Sequence, residues 1–172
     1  GINRQNINIL AVSKTFSSEY VKNALELGFV DFGENYVDEA LEKISLLNQT
    51  IEKNNSNQLK HVVKPSWHFI GPIQSNKTKK IAENFDWVHS IESSKQINRL
   101  ATQRPIELDP LKVFIQVNLS NENSKRGVLE CNLEKLVNEV LKYERLSFRG
   151  LMTIPEKTNQ DNILRERFSK LR

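Results

Sequence analysis

The feature that most constrains the fold of this chain is a repeated alternation of short apolar runs with amphipathic segments. The first apolar run, 7–12, is typical of a buried strand, and Val21, Ala24 and Leu25 then recur at helical spacing. The same alternation returns along the rest of the sequence. Alternating strands and helices joined by right-handed crossovers predict an α/β fold with a parallel sheet. An open doubly wound sheet and a (β/α)8 barrel both satisfy this pattern.

We predict six strand–helix units. The predicted strands are 7–12, 29–33, 67–70, 87–91, 113–119 and 146–154. A (β/α)8 barrel of the TIM type needs eight units, so the chain is either an open sheet or about six units of a barrel. No Gly-x-Gly-x-x-Gly follows the first strand, which weakens the dinucleotide-binding alternative. A length of 172 residues suits one domain, and we expect residues 1–172 to form it.

Residues 48–66 interrupt the alternation. They are polar, rich in Asn, Gln and Lys, and close with Pro65-Ser66. Such a composition favours an exposed insertion between the second predicted helix, from near Asn35 to about Leu47, and the third strand. A later helix, with Leu133 and Leu136 on one face, is expected to begin at Asn132 as its cap.

Charge and composition limit the kinds of partner that we expect for this chain. The net charge is +4, but 21 acidic residues are mixed among the 25 basic ones. The one local cluster, Lys77, Lys79 and Lys80, is explained by a solvated helix face, so a nucleic-acid partner is the less favoured alternative and a small anionic ligand suits the balance. We see neither an apolar run of bilayer length nor a secretory signal, and we expect a cytoplasmic protein without membrane contact. The single cysteine, Cys131, agrees with a reducing compartment.

Polar residues follow several predicted strands, at the edge where parallel α/β folds place their sites. Lys14 ends the first strand, and its neutral amine can attack an aldehyde, the chemistry that pyridoxal phosphate (PLP) requires. Asn35 follows the second strand, His68 lies in the third, and Met152 lies towards the end of the sixth. These four residues together indicate a binding site more strongly than any single one of them.

Each candidate also has a structural alternative. Taken alone, Lys14 is more typical of a solvated charge, and His68 is more typical of a hydrogen-bonded core residue. Asn35 is equally typical of a helix cap. Met152 is typical of a gap-filling core side chain, and Glu34 is either a base or a helix-start glutamate. The spacing of His and Cys residues predicts no metal site.

Five segments in register resemble the pyridoxal phosphate homeostasis proteins, a family similar to the barrel domain of alanine racemase. These segments are AVSKT at 11–15, FGENYVDEA at 32–40, WHFIGPIQSNKTK at 67–79, VNLSNENSKRG at 117–127 and GLMTIP at 150–155. The resemblance covers nearly the whole chain, and five ordered motifs make it specific.

The resemblance implies a single-domain TIM-barrel fold and PLP as the cofactor. Lys14 matches the family lysine that holds PLP as a Schiff base, Asn35 and His68 match positions lining the cofactor, and Met152 matches a position near it. The implied function is binding and buffering of PLP in vitamin B6 homeostasis by a monomer, with delivery to PLP-free enzymes and no robust turnover. A PLP-dependent amino-acid racemase-like enzyme is the alternative.

The sequence departs from the family pattern at its C-terminal side. The family segments that supply a phosphate cradle and an arginine near the pyridine nitrogen have no counterpart in it. Because barrels bind phosphate at the loops after strands seven and eight, we expect weak PLP binding by this chain, and a barrel fragment without any ligand is a further alternative.

Overall fold

The computed structural model describes residues 7–56, 64–119, 126–155 and 157–172. Within these ranges six strands and six α-helices alternate along the chain. The strands are β1 (Ala11–Val12), β2 (Asp31–Glu34), β3 (Ser66–Phe69), β4 (Trp87–Ile91), β5 (Leu111–Gln116) and β6 (Leu146–Met152). The helices are α1 (Ser18–Glu26), α2 (Val37–Ser56), α3 (Thr78–Asn84), α4 (Ser94–Gln103), α5 (Glu130–Val140) and α6 (Asp161–Leu171), with a short 3-10 turn, Ser75–Lys77, before α3. The prediction of an α/β chain with six strand–helix units is confirmed.

The chain divides into two compact units, Gly1–Gly71 and Pro72–Arg172. In the first unit β1 pairs with β2 and β2 with β3, all parallel, in a register that aligns Ala11 with Phe32 and Phe32 with Trp67. Phe32, Trp67 and Phe69 are buried, and so is Val21 of α1. The expectation of one domain over 1–172 stays a prediction.

The second unit repeats this arrangement. β4 pairs with β5 and β5 with β6, again parallel, with Val88 opposite Val113 and Val113 opposite Phe148. Alternate residues of β5, such as Val113 and Ile115, are fully buried, as strands of a parallel sheet are in general. Helix α4 begins after Ser93, whose hydroxyl accepts a hydrogen bond from the Gln96 amide at 3.4 Å.

The two ends of α1 and the bounds of β4 agree with the local sequence. Ser17 is the residue that precedes α1, although its side chain makes no capping hydrogen bond. Gly28 follows that helix with a φ of +92°, the left-handed conformation that ends helices and favours glycine. Strand β4 has the predicted bounds.

Two predicted boundaries in the first unit are wrong. Helix α2 continues to Ser56 instead of ending near Leu47, because Asn, Gln and Thr residues without a Gly or Pro do not stop a helix. Within the helix, the Thr50 hydroxyl donates a hydrogen bond to the Leu46 carbonyl at 2.9 Å. The insertion is therefore wrong for 48–56, and its part at 57–63 lies outside the described residues.

The first strand is also shorter than predicted. β1 contains only Ala11 and Val12, while Ile7 and Ile9 are exposed. Apolar β-branched residues favour a strand, but a strand forms only where another strand supplies hydrogen-bond partners, and in the described chain 7–10 have none of that kind.

The start of α5 differs from prediction as well. The helix begins at Glu130, with Leu129 before it, so Asn132 is not its cap. Asn132 lies instead in the first turn, where its amide donates to the Leu129 carbonyl at 2.9 Å. Cys131 is an exposed helical residue.

Candidate cofactor site

Lys14 lies in a tight turn that leaves β1. The Ser13 amide extends the ladder of β1 by donating to the Gly33 carbonyl at 3.0 Å, and the Phe16 amide closes the turn on the Ser13 carbonyl at 3.1 Å. Thr15, the residue after Lys14, has a φ of +67°. This left-handed conformation is uncommon for a β-branched residue and costs about 1–3 kcal/mol, so surrounding contacts must hold it.

Those contacts come from a partly buried group that we call the Lys43 cluster. Its members are Ser13, Thr15, Glu34, Glu39 and Lys43. The Lys43 ammonium donates to the Ser13 carbonyl at 2.7 Å, to Glu34 Oε1 at 2.8 Å and to Glu39 Oε1 at 2.6 Å. An ammonium has three N–H bonds, so these acceptors use its full donor capacity.

The two carboxylates complete the cluster around the turn. Glu34 Oε1 accepts the Ser13 hydroxyl at 2.6 Å, and Glu39 Oε1 accepts the Thr15 amide at 2.6 Å. The residue before Lys14 and the residue after it are thus both tied to the same buried cation. Because charge-assisted hydrogen bonds are the stronger kind, this arrangement fixes the backbone on both sides of Lys14.

The cluster is buried unevenly. Glu34 is fully buried and Lys43 nearly so, whereas the Glu39 side chain is 31% exposed. Among the described residues, no group donates a hydrogen bond to the other Glu34 oxygen, Oε2. This burial and pairing favour a structural role for Glu34 over the role of a base, since its carboxylate already serves two donors.

The charge of Glu39 is controlled by the same contacts. Burial raises the pKa of Glu39, but hydrogen bonds from Lys43 and from the Thr15 amide, together with the Lys43 charge, outweigh it, so that the pKa lies below its ordinary value of 4.5. Glu39 therefore stays ionised, and the cluster intact, throughout the neutral range.

We expect the turn to loosen only in acid. A carboxyl group whose pKa is lower in the folded than in the unfolded state stabilises the fold above its unfolded pKa, and that contribution disappears as the pH falls through the folded one. NMR titration of the Thr15 amide shift should show a midpoint below 4.5, and Glu39→Gln should remove that transition. A midpoint at or above 4.5 would contradict the assigned pairing.

The Lys14 amine itself is the reactive candidate. Its side chain is half-buried, and among the described residues none forms a hydrogen bond or an ion pair with it. Lys43, by contrast, already donates all three of its N–H bonds within the cluster. Of these two lysines only Lys14 fits the carbonyl-reactive end of PLP, because that reaction needs an amine that can lose its proton.

Asn35 is brought to the same edge as Lys14. It follows β2 directly, as Lys14 follows β1, and the two strands are parallel neighbours. Gly71 comes so close to the Asn35 main chain that a Cβ on Gly71 would lie 2.2 Å from the Asn35 carbonyl oxygen. This close approach therefore requires glycine at position 71, and the part of Asn35 in cofactor binding stays a prediction.

His68 faces a different set of groups. Its Nε2 lies 3.1 Å from Asp31 Oδ1 and 3.3 Å from the Ser66 hydroxyl. Asp31 and Ser66 are the first residues of β2 and β3, whereas Lys14 and Asn35 follow strand ends. This is the placement of a hydrogen-bonded core histidine, so the structural alternative is favoured and contact with a cofactor stays a prediction.

Met152 belongs to the second unit. It is the last residue of β6, half-buried, and its carbonyl accepts the Val117 amide at 2.8 Å. The adjacent Thr153 hydroxyl donates to the Val117 carbonyl at 2.9 Å. The end of β6 is thus well anchored, and a role for Met152 near a cofactor stays a prediction.

Sequence reasoning missed Glu39 and Lys43. They form an i, i+4 pair on α2, the spacing at which opposite charges meet on a helix. The available signal was that Lys43 shares its side of the helix with Ala40 and Leu47, which are both buried. A charged residue on an apolar face indicates a buried partner.

Two further features are absent from the described ranges. No helix there is long and apolar enough to cross a membrane. Nor do the described His, Cys, Asp and Glu side chains form a group of three or more that could hold a metal ion.

Six parallel strand–helix units with a lysine in the first strand-to-helix turn define a chain of the barrel-type α/β class. Residues 3–171 match the description "Alanine racemase, N-terminal domain", and the chain belongs to that family. The prediction of a TIM-barrel-type fold with about six units is thereby confirmed.

The curated relatives have a more specific name than this family description. The chain is 42% identical over 167 residues to the pyridoxal phosphate homeostasis protein of Vibrio alginolyticus, covering 97% of this chain and 68% of the relative. It is 43% identical over 155 residues to that of Escherichia coli K12, covering 90% and 62%. For Pseudomonas aeruginosa the identity is 44% over 166 residues, covering 96% and 66%. The chain thus spans about two thirds of these relatives, and the sequence-based resemblance is confirmed.

Solved structures agree. PipY of Synechococcus elongatus PCC7942, determined with PLP bound, matches with a TM-score of 0.81 at 27% identity, covering 98% of this chain and 74% of PipY. An alanine racemase from E. faecalis matches with a TM-score of 0.67 at 16% identity, covering 97% and 44%, and shows the fold alone.

Proposed function

We propose that this chain binds PLP and serves its homeostasis, with Lys14 as the residue that attaches the cofactor. The observation that carries the proposal is the Lys14 turn, in which the backbone is held on both sides while the amine is left without a partner among the described residues. The relatives named pyridoxal phosphate homeostasis protein and the PLP-bound PipY structure support it.

The residues of the proposed PLP site have separate roles. PLP supplies an aldehyde, and a neutral primary amine attacks its carbon to form a C–N bond with loss of water. Lys14 supplies that amine and must first release its proton to solvent. The Lys43 cluster holds the turn, and Asn35, at the neighbouring strand end and close to Gly71, lines the cofactor.

We further propose that the chain acts as a cytoplasmic monomer that passes PLP to PLP-free enzymes. The word homeostasis in the relatives' names supports delivery over turnover. A single cysteine, exposed on α5, is consistent with a reducing compartment. Incubation of the PLP-loaded chain with a PLP-free acceptor enzyme should restore that enzyme's activity faster than dilution of the loaded chain releases PLP.

Loss of Lys14 should abolish covalent attachment of PLP. We expect borohydride reduction of the chain mixed with PLP to leave one pyridoxyl group on Lys14, located by peptide mass spectrometry. Lys14→Ala should lose it, while the control Lys22→Ala, at an exposed lysine of α1, should keep it. Equal labelling in Lys14→Ala, or labelling spread evenly over exposed lysines, would contradict the proposal.

The racemase-like alternative has a distinct signature. It requires the α-proton of an amino acid to exchange with solvent deuterium at a rate that depends on Lys14. A PLP carrier that fulfils the proposal shows Lys14-dependent labelling without such exchange.

A further inference from the structure

Lys43 differs from an ordinary buried ion-pair lysine in what its partners hold. Its side chain is 5% exposed. Its acceptor Glu34 also accepts the Ser13 hydroxyl, and its two other acceptors hold the main chain of the residues on either side of Lys14. One is the Ser13 carbonyl, and the other is Glu39, whose same oxygen accepts the Thr15 amide. An ion pair that served stability alone would need no connection to either neighbour.

We propose that Lys43 is a positioning residue for the Lys14 amine. It fixes the backbone on both sides of Lys14 and so sets the direction in which the amine is presented. The inference rests on the proposed function, because it assigns Lys43 a part in presenting Lys14 to PLP. Lys43 does not touch the reacting atoms itself, since all of its N–H bonds are used within the cluster.

The geometry explains why such a device is needed. A lysine side chain is a flexible four-carbon stem, so its base must be fixed if its amine is to be directed. Thr15 holds a left-handed conformation that it would leave if unrestrained. A displacement of about 1 Å at a reacting group can slow a reaction about 100-fold, so release of the turn should be visible as a rate.

The informative variant must remove the cation without leaving an unpaired buried charge. Lys43→Met alone would leave the fully buried Glu34 carboxylate without its partner. We therefore combine it with Glu34→Gln, whose amide oxygen can still accept the Ser13 hydroxyl. The control is Leu47→Ala, which removes a buried side chain from the same helix α2 but none of the hydrogen bonds and ion pairs that define the cluster.

The first measurement is the rate of pyridoxyl labelling at Lys14 as a function of PLP concentration, well below each variant's melting temperature. We expect the saturating rate of Lys43→Met/Glu34→Gln to fall at least about tenfold, with a half-saturating PLP concentration near that of the parent. Leu47→Ala should stay within about twofold, because its turn is intact.

The second measurement is hydrogen exchange of the Thr15 amide, expressed relative to amides of β2 in the same sample. The double variant should lose relative protection about tenfold or more, because Glu39 is no longer held against Thr15. This readout involves no PLP. It therefore separates failure of the inference from failure of the proposed function.

Each outcome decides the matter. An unchanged saturating rate in the double variant overturns the inference, and so does an equal fall in the double variant and in Leu47→Ala. If the parent chain takes up no PLP, the proposed function fails, and the exchange data alone decide whether Lys43 holds the turn. Unchanged relative protection of Thr15 then overturns the inference as well.

Discussion

Replacing Gly71 with alanine should destabilise the first unit by about 3 kcal/mol or more. The added Cβ would lie 2.2 Å from the Asn35 carbonyl oxygen and 2.8 Å from its carbonyl carbon and Cα, far inside contact distance. All three obstacles are main-chain atoms at the end of β2, which cannot rotate away as a side chain can. The strand ends must separate, and Asn35 must move with them.

Gly28→Ala is the matched control for this prediction. Gly28 has a left-handed φ of +92°, but apart from its chain neighbours no atom of the described residues lies within 4 Å of its Cβ position. Alanine there should cost only about 1 kcal/mol, through backbone conformation alone. The two variants thus separate the close contact from the effect of losing a glycine.

Urea unfolding can be monitored at a site in each unit, because each contains one of the two tryptophans, Trp67 or Trp87. In a Trp87→Phe background, the fluorescence of the buried Trp67 reports on the first unit. A loss below about 0.5 kcal/mol for Gly71→Ala, or a larger loss for Gly28→Ala, would show that the Asn35 contact does not limit this position.

Replacing Arg104 with methionine should destabilise the second unit by about 3–5 kcal/mol. The buried guanidinium donates to the carbonyls of Ala82 at 2.7 Å, Phe85 at 2.8 Å and Asp109 at 2.8 Å. It thereby joins the end of α3 to the turn before β5. Methionine fills similar space but leaves all three carbonyl oxygens without this donor.

The charge on Arg104 survives its burial. Desolvation lowers the pKa of Arg104, with Asp86 opposing that effect, Arg145 adding to it and Asp109 opposing it, but a guanidinium keeps its proton in proteins. Arg104→Lys should therefore recover only part of the loss, because Arg104 uses donors at two separate positions of its planar group, Nε and Nη1, and a lysine carries all of its donors on one nitrogen.

The control for Arg104 is Lys79→Ala. Lys79 is exposed and meets Glu83 only at 3.8 Å, so its removal should change stability by less than about 0.5 kcal/mol. Trp87 fluorescence in a Trp67→Phe background follows the second unit. A loss for Arg104→Met no larger than that for Lys79→Ala would show that the three carbonyls find other donors.

Local pattern was sufficient for the order and type of the elements. Six strands and six helices follow from apolar runs, helical spacing and signals such as Gly28, because these depend on neighbouring residues. The extent of β1 and α2 was not accessible in this way. Exposed Ile7 and Ile9 have strand propensity without a partner strand among the described residues, and the polar end of α2 has helix propensity without an apolar pattern.

The candidate site was likewise predictable from the sequence only in part. The rule that sites follow the carboxyl ends of parallel strands places Lys14 and Asn35 correctly at one edge of the first unit. The orientation of His68 depends on Asp31, 37 positions away, and no sequence rule supplies that pairing. The tie between Lys43 and Ser13 likewise depends on how α2 lies against β1.

The residues of the Lys43 cluster also lie close together in the sequence. Its most distant hydrogen bond joins residues 30 positions apart, Ser13 and Lys43. Closing such a loop costs little entropy, and contacts of short sequence separation form early. Ribosomes add about 5–20 residues per second, so Lys43 follows Ser13 within several seconds. The turn that presents the reactive lysine can therefore be assembled on the nascent polypeptide while most of the second unit has still to be translated.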